Sequence, residues 1–152
     1  MTETANKSLV QCWFDEVWNK GQEGTIDRLL SPDAVAYGLG DTDDEVRGPE
    51  QFKQFVRTIR GSFQDLQITV EDILAESDKV TVRVLLHGTH TGGSIGVPAT
   101  GRPIRVSGIV LVRISNGQIV EAWNSWDQLR LLRQIGALPG IDSPDRFLKS
   151  QH

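Results

Sequence analysis

The chain has 152 residues, of which 38% are hydrophobic and 24% are charged, and its formal net charge is −4. This length and composition fit one globular domain with an ordinary core, and they exclude wholesale disorder. A mildly acidic chain with scattered Lys and Arg lacks the basic stripe that nucleic-acid binding requires, so we expect no nucleic-acid partner.

Cysteine content and hydropathy indicate where in the cell the protein is expected. Cys12 is the only cysteine, which leaves no intrachain disulfide and no thiolate metal cage. The first residues lack the apolar stretch of a signal peptide, and no apolar run is long enough to span a bilayer. We therefore expect a cytoplasmic protein that does not bind a membrane.

The N-terminal part of the chain is predicted to be helical. Residues 4–20 carry two apolar rows at a spacing of four, which predicts an amphipathic helix: Leu9, Trp13 and Val17, beside Val10, Phe14 and Trp18. A short helix over 25–30 is expected to break at residues 31–33, where Pro32 lies, and a strand over 34–39 follows.

An acidic run and a third helix come next. Residues 41–45 offer oxygen ligands but lack the spacing and the glycine of a calcium loop, so we expect a solvated loop, a flap over a pocket mouth, and no metal site. Pro49 lies just inside the start of the third helix, where proline is favoured, and Gly61 ends that helix.

The remaining chain is mainly β-strand. Alternating apolar residues predict strands over 66–75, 79–91, 103–114 and 118–126. The Asn116-Gly117 pair is a strong hairpin signal between the last two strands. A glycine-rich segment over 92–101 interrupts the strands, and a last short helix begins near Asp127.

The order of elements sets the fold class. Helices first and long antiparallel strands later predict an α+β domain. Glycines inside two strands, Gly88 and Gly108, indicate a curved sheet with about three N-terminal helices over its concave face and a cavity between the layers. Residues 1–138 are predicted to be a single domain, and residues 139–152 an irregular tail.

Short segments in a fixed order carry a resemblance to a known family. They include DKVTVR at 78–83, GTHTG at 88–92, GVPATG at 96–101 and RISNGQIVEAW at 113–123. Together they resemble the SnoaL-like polyketide cyclase family over roughly residues 8–138. The resemblance implies the nuclear-transport-factor-like fold, in which a cone of helices is closed by a curved, mainly antiparallel sheet.

The resemblance also implies a reaction. Cyclases of this family close a ring of an aromatic polyketide by an aldol reaction, without a metal or a cofactor, so we expect none. Their acid/base Asp falls on Asn124 here, their pocket His on Val110, and their first-strand Asn on Ala36. All three positions depart from the cyclase pattern.

The amide at position 124 changes the chemistry that is open to the site. A carboxamide does not take a proton from carbon, but it donates to and accepts from ligand oxygens, and it stabilises an enolate. Two other residues are candidates for proton transfer. Asp127 is either an acid/base or a helix N-cap, and His90 is either a base or a histidine held by backbone hydrogen bonds. Asp127, His90 and Asn124 are the candidate catalytic residues.

Strand alternation defines the expected pocket wall. If Asn124 faces inward, its neighbours Val120, Ala122 and Trp126 do so too. The valine face of 79–91 points inward as well and brings His90 with it. The candidate ligand-binding residues are Asn124, Val110, Ala36, Trp126, Ala122, Trp18 and Phe55. Such a wall is mainly aliphatic, which suits a small apolar molecule.

The opposite face of the sheet also carries apolar residues. Ile109, Leu111, Ile119 and Trp123 would be exposed on an isolated domain, and a patch of this kind usually marks an interface. We expect a homodimer packed through the outer sheet faces.

Three functions compete at this point. The first is a SnoaL-like, cofactor-independent cyclase that acts on a polyketide-type ligand in an enclosed pocket. The second is a hydroxylase-type enzyme on the same scaffold, which is compatible with the loss of the acid/base Asp. The third is a binder of an apolar metabolite without chemistry.

Overall fold

The first helix changes its winding halfway along. Helix α1 (Glu3–Cys12) begins at a cap in which the Thr2 hydroxyl accepts from the amide of Ala5, and it continues directly into a π-helical segment, Trp13–Asn19. The helix predicted over 4–20 is confirmed, and both apolar rows are buried. The π winding itself was not predicted. The computed structural model describes residues 2–40 and 45–138.

The other elements complete an α+β fold. The remaining helices are α2 (Glu23–Leu29), α3 (Gly48–Ser62) and α4 (Gln128–Gln134). The strands are β1 (Leu30–Tyr37), β2 (Val46–Arg47), β3 (Gln67–Glu76), β4 (Lys79–Thr89), β5 (Pro103–Ser115) and β6 (Gln118–Trp126). The sheet has the order β2-β1-β6-β5-β4-β3 and is antiparallel except for the pair β1–β6. The predicted fold class is confirmed.

The first strand starts earlier than expected. We predicted a break at 31–33 and a strand from 34, but β1 begins at Leu30. The pairing of β1 with β6 is irregular between Leu30 and Val35. Pro32, which has no N–H to donate, therefore lies where regular pairing is interrupted, and the strand passes through it.

The first helix is fixed to the sheet by one amide side chain. The Nδ2 of Asn19 donates to the carbonyl of Ile68 at 2.9 Å, and the Oδ1 of Asn19 accepts from the amide of Ile68 at 2.6 Å. This pair of bonds imitates a strand neighbour for the start of β3. The end of the π segment is thus fixed to the backbone of Ile68 at the start of β3.

Two turns organise the long strands. Asn116 and Gly117 have φ values of 52° and 74°, which is the backbone of the predicted hairpin turn. Beyond this turn, β6 contains one residue too many. Ile114 is opposite Ile119 and Arg113 is opposite Glu121, so Val120 is an unpaired bulge.

The bulge corrects two predictions. Simple alternation back from Asn124 placed Val120 on the inner face and Ile119 on the outer face. Because one residue is extra, Ile119 is the side chain that turns inward, and it is 3% exposed. Ile119 therefore lines the cavity, whereas the bulged Val120 is half-buried and is not among the described residues of the cavity wall.

The core lies between the helices and the concave face of the sheet. The predicted valine face of β4 is confirmed, since Val80, Val82 and Val84 are fully buried. No helix within 2–40 or 45–138 is long and apolar enough to cross a membrane. Most of the acidic run, residues 41–44, and the whole tail at 139–152 lie outside the described residues, so the flap, the tail and the boundary at 138 stay predictions.

Candidate active site

A cavity of about 670 Å³ lies between the concave sheet face and the helices. The first helix with its π segment, α3, β1, β5, β6 and α4 all contribute to its wall. Small-molecule sites usually have volumes of about 300–1,000 Å³ and mostly apolar walls. The size and the lining of this cavity are therefore those of a small-molecule site.

Few polar groups interrupt the wall. Among the described lining residues, the hydroxyl and amide side chains are Thr58, Ser94, Asn124 and Gln128. The described part of the wall contains no Asp, Glu, His, Lys or Arg. A charge brought into such a wall would lose its hydration without gaining a partner. The cavity therefore suits an uncharged molecule.

Asn124 is held in one orientation by two neighbours. Its Nδ2 donates to the backbone carbonyl of Tyr37 at 3.0 Å, and its Oδ1 accepts from the indole N–H of Trp126 at 3.4 Å. The carbonyl only accepts and the indole only donates, so the oxygen and the nitrogen of the amide are assigned by their partners. One N–H and one lone pair of the amide remain for another partner.

A glycine allows the backbone to approach this residue. Gly38 follows Tyr37 with a φ of +79°, and a Cβ at that position would lie 2.1 Å from the backbone oxygen of Asn124. Only glycine fits both the conformation and the space. The end of β1 is thereby pressed against β6, which places the carbonyl of Tyr37 within reach of the Asn124 amide.

Trp126 lies flat on the floor of the cavity. It pairs across the strands with Gly108, and a Cβ on Gly108 would lie 2.5 Å from the Cε3 atom of the indole. The six-membered part of the ring therefore rests on the bare backbone of β5. Trp126 also belongs to the cavity wall.

The three positions to which the resemblance drew attention lie together. Val110 is directly opposite Asn124, and Ala36 is opposite Ala122, two residues before Asn124. All seven candidate ligand-binding residues lie in the cavity wall: Asn124, Val110, Ala36, Trp126, Ala122, Trp18 and Phe55. That they bind a ligand stays a prediction. Val110 and Ala36 contribute only aliphatic surface.

Asp127 does not reach the cavity wall. Its Oδ1 accepts from the amide of Arg130 at 3.1 Å, and its Oδ2 is 3.5 Å from the guanidinium of the same residue. The side chain of Asp127 is 40% exposed. The cap interpretation therefore describes its position, because the carboxylate faces the start of α4 and the solvent. A role of Asp127 in proton transfer stays a prediction.

His90 is buried outside the cavity. Its Nδ1 is 3.0 Å from the hydroxyl of Thr100 and accepts from the amide of that residue at 3.3 Å, while its ring packs on Phe63. The chain leaves the strand after Thr89, and the following loop covers the ring. His90 thus follows the valine face into the buried interior, but it is not among the described residues of the cavity wall, and its role as a base stays a prediction.

The loop between β4 and β5 is fastened to the end of α3 by Ser62. The Ser62 hydroxyl is 2.7 Å from the hydroxyl of Ser94 and accepts from the amide of Ile95 at 3.0 Å. The carbonyl of Ser62 accepts from the amides of Thr91 and Gly92. Ser94 and Ile95 consequently form part of the cavity wall.

Sequence reasoning missed the polar part of the wall that lies away from Asn124. Thr58 is on α3, Ser94 is in the glycine-rich loop, and Gln128 opens α4, where its Nε2 donates to the carbonyl of Gly40 at 3.0 Å. Only Gln128 had a sequence signal, since it directly follows the capping Asp127. The position of the other two depends on how the loop docks on α3.

The comparison with protein families decides the classification. The family model described as SnoaL-like polyketide cyclase matches residues 8–135. This chain belongs to the SnoaL-like polyketide cyclase family. One SnoaL-like relative is the aklanonic acid methyl ester cyclase DnrD of Streptomyces peucetius, which is 31% identical over 123 residues that cover 80% of this chain and 84% of the relative.

Solved structures agree with the SnoaL-like classification. A SnoaL-like protein from Jannaschia sp. CCS1 has a TM-score of 0.81 and 29% identity over 90% of this chain and 95% of its own. AclR from Streptomyces galilaeus, a proposed hydroxylase, has a TM-score of 0.81 and 29% identity over 99% of this chain and 91% of its own. The implied nuclear-transport-factor-like fold is thereby confirmed.

Proposed function

We propose that this SnoaL-like protein is a cofactor-independent cyclase that closes a ring in an uncharged polyketide-type molecule held in the cavity. One observation carries the proposal: Asn124 has an oriented amide with a spare N–H in a wall otherwise poor in polar groups. The cyclase relatives supply the reaction class. The absence of charged side chains from the described part of the wall supports a neutral ligand.

The proposed chemistry is an intramolecular aldol addition. A carbon between two carbonyl groups loses a proton to solvent, and the resulting enolate oxygen accepts a hydrogen bond from the Asn124 amide. The enolate carbon attacks a ketone carbon of the same molecule, so one carbon–carbon bond forms. The new alkoxide takes a proton from solvent. The product is an isomer of the substrate, and no electron acceptor takes part.

The aliphatic wall contributes by restricting the ligand. Val110 and Ala36 leave room beside Asn124 where cyclases of the family pattern carry polar side chains. A flexible chain folded against such a wall is held near its reacting geometry, which lowers the entropic cost of ring closure. In this proposal the proton moves to solvent, and Asp127 and His90 act on the structure of α4 and of the β4–β5 loop.

Ring closure in the Asn124→Leu variant tests the proposal. The substrate is an anthraquinone that carries a β-keto ester side chain and a neighbouring ketone, with product measured by chromatography and α-carbon exchange followed in D2O. Loss of one enolate-stabilising donor is expected to lower the rate by roughly 100-fold. Thr58→Val, which changes a polar wall residue away from Asn124, is the matched control. Equal rates for wild type and Asn124→Leu would refute the role of the amide.

Two observations favour other functions. The similarity to AclR over 99% of this chain favours a hydroxylase-type enzyme. The lack of a titratable side chain in the described wall favours a binder without chemistry. Oxygen consumption with the same anthraquinone would support the first alternative. Substrate recovered without ring closure, with deuterium entering the α-carbon no faster than without the protein, would support the second.

A further inference from the structure

We propose that Trp126 is a stacking floor for a flat conjugated ring system, and that Gly108 makes this floor available and so determines ligand shape. The inference rests on the proposed function only in taking the cavity as the ligand site. It adds where the planar part of such a ligand would lie and which two residues would select for it.

Gly108 has no side chain, which lets the Trp126 indole lie directly against the backbone of β5. A Cβ there would lie 2.5, 2.7 and 2.9 Å from three atoms of the Trp126 ring, distances that real Cβ atoms do not adopt. Gly108 does not have a positive φ, so the backbone itself would accept alanine. The three atoms nearest to such a Cβ all belong to the indole, so even one methyl group requires the ring to shift.

The orientation of the ring is fixed in its own plane as well. The indole N–H donates to the Oδ1 of Asn124, and the other end of that amide is held by the carbonyl of Tyr37. This bond satisfies the indole donor and also fixes the ring beside the Asn124 amide. An anchored ring that rests on bare backbone in a cavity wall offers a π surface at no further cost in side-chain entropy.

The surroundings of the floor favour a flat guest. Val106 and Val110 flank Gly108 on the same face of β5, and both lie in the cavity wall. Planar rings gain from parallel contact with an aromatic face, whereas a saturated ring system gains only ordinary apolar burial. The floor thus discriminates by planarity rather than by charge.

Two neutral diketones of different shape test the inference. The flat probe is 1,8-dihydroxyanthraquinone and the saturated probe is 5α-androstane-3,17-dione, with dissociation constants measured by calorimetry. Trp126→Leu is expected to raise the dissociation constant of the flat probe by about 10-fold and that of the saturated probe by less than about 2-fold. Trp126→Phe is expected to keep the dissociation constant of the flat probe within about 3-fold of wild type.

Gly108→Ala is expected to weaken the flat probe by at least about 5-fold and to shift the indole N–H resonance of Trp126. Ala122→Val is the matched control. It adds methyl groups to the same cavity wall but lies four residues before Trp126 on β6, so it should leave that resonance in place. Circular dichroism and thermal unfolding establish that each variant is folded.

Three results would overturn the inference. The first is an equal loss of affinity for both probes in Trp126→Leu. The second is an unchanged indole resonance together with unchanged affinities in Gly108→Ala. The third is failure of the wild type to bind the flat probe. Ring closure and α-carbon exchange are measured separately through Asn124→Leu. Selective binding without ring closure would contradict the proposed function and leave the stacking floor intact.

Discussion

The indole N–H of Trp126 donates to the side-chain oxygen of Asn124 across 3.4 Å, and this bond decides which end of the amide faces the carbonyl of Tyr37. A residue at position 124 must therefore accept at one end and donate at the other. Asparagine meets both requirements, whereas an ionised carboxylate meets only the first.

Asn124→Asp should therefore make stability depend on pH. An ionised carboxyl would place an oxygen against the Tyr37 carbonyl, so we expect burial and this repulsion to raise its pKa. Stability is then retained at low pH, where the protonated carboxyl donates an O–H hydrogen bond to the Tyr37 carbonyl, and it is lost as pH rises through the raised pKa, by about 1–3 kcal/mol. Denaturant unfolding at pH 4 and pH 8 measures the loss. Asn124→Leu is the control, because it should show no comparable change between the two pH values.

Substitutions at Asp127 should separate capping from catalysis. Asn is also a good N-cap, so Asp127→Asn should keep both the fold and ring closure within about twofold of wild type. Asp127→Ala loses the cap and should lower the free energy of unfolding by about 1 kcal/mol. Unfolding curves and turnover are measured on both variants. A tenfold fall in turnover with Asp127→Asn, at unchanged stability, would return Asp127 to the mechanism.

Asp65 should contribute an acid-sensitive part of stability. Its carboxylate accepts from the amide of Thr89 at 2.7 Å and from the hydroxyl of Thr89 at 2.9 Å, and these hydrogen bonds lower the pKa of Asp65. A lowered folded pKa means that the contribution is present above the ordinary carboxyl pKa and is lost as pH falls through the lowered value. Asp65→Asn should lower Tm at pH 7 by roughly 2–4 °C and make little difference near pH 2. A constant difference at both pH values would contradict this.

Ser62 should control the opening of the β4–β5 loop. Its buried hydroxyl is bonded to Ser94 and to the amide of Ile95, so Ser62→Ala removes both contacts. We expect the amides of Thr91, Gly92 and Ile95 to exchange hydrogen roughly 10-fold faster or more, because these hydrogen bonds hold the loop against the end of α3. Exchange is followed by mass spectrometry. Ser107→Ala, on the exposed side of β5, is the control. Equal exchange rates in both variants would show that the Ser62 hydroxyl does not control the opening of the loop.

The outer face of the sheet supports the proposed homodimer. Cross-strand register aligns one row over five strands: Leu74, Thr81, Leu111, Trp123 and Tyr37. Tyr37 stacks on Trp123, whose side chain is nevertheless 37% exposed, and Ile109 is 53% exposed. We expect a dimer by light scattering at micromolar concentration and a monomer for Trp123→Lys. A monomeric wild type would contradict the proposal.

Periodicity and turn chemistry predicted most of the fold. The rows of Leu9 and Val10, the proline at the start of α3 and the Asn116-Gly117 turn are local signals, because each depends on residues close together in the chain. The wall positions of Val110 and Ala36 followed from the resemblance to the family. These features needed no knowledge of distant contacts.

The remaining features depend on contacts between distant segments. The bulge at Val120 arises from pairing with β5, so alternation along β6 alone gave the wrong face for Ile119. His90 is buried beside Phe63 rather than in the described cavity wall, and the loop that follows it docks on Ser62. The indole of Trp126 is flat because of Gly108 on another strand. None of these partners can be identified from spacing within a single segment.

The bulge gives β6 a reserve of length. The hairpin turn fixes one end of the strand, and the pairing of Val110 with Asn124 fixes the other. Removal of a single codon between these two points would straighten the strand while both ends kept their partners. The part of the chain that leads to the Asn124 amide can therefore tolerate a deletion. Homologous chains that are one residue shorter here would keep the residue at position 124 opposite Val110.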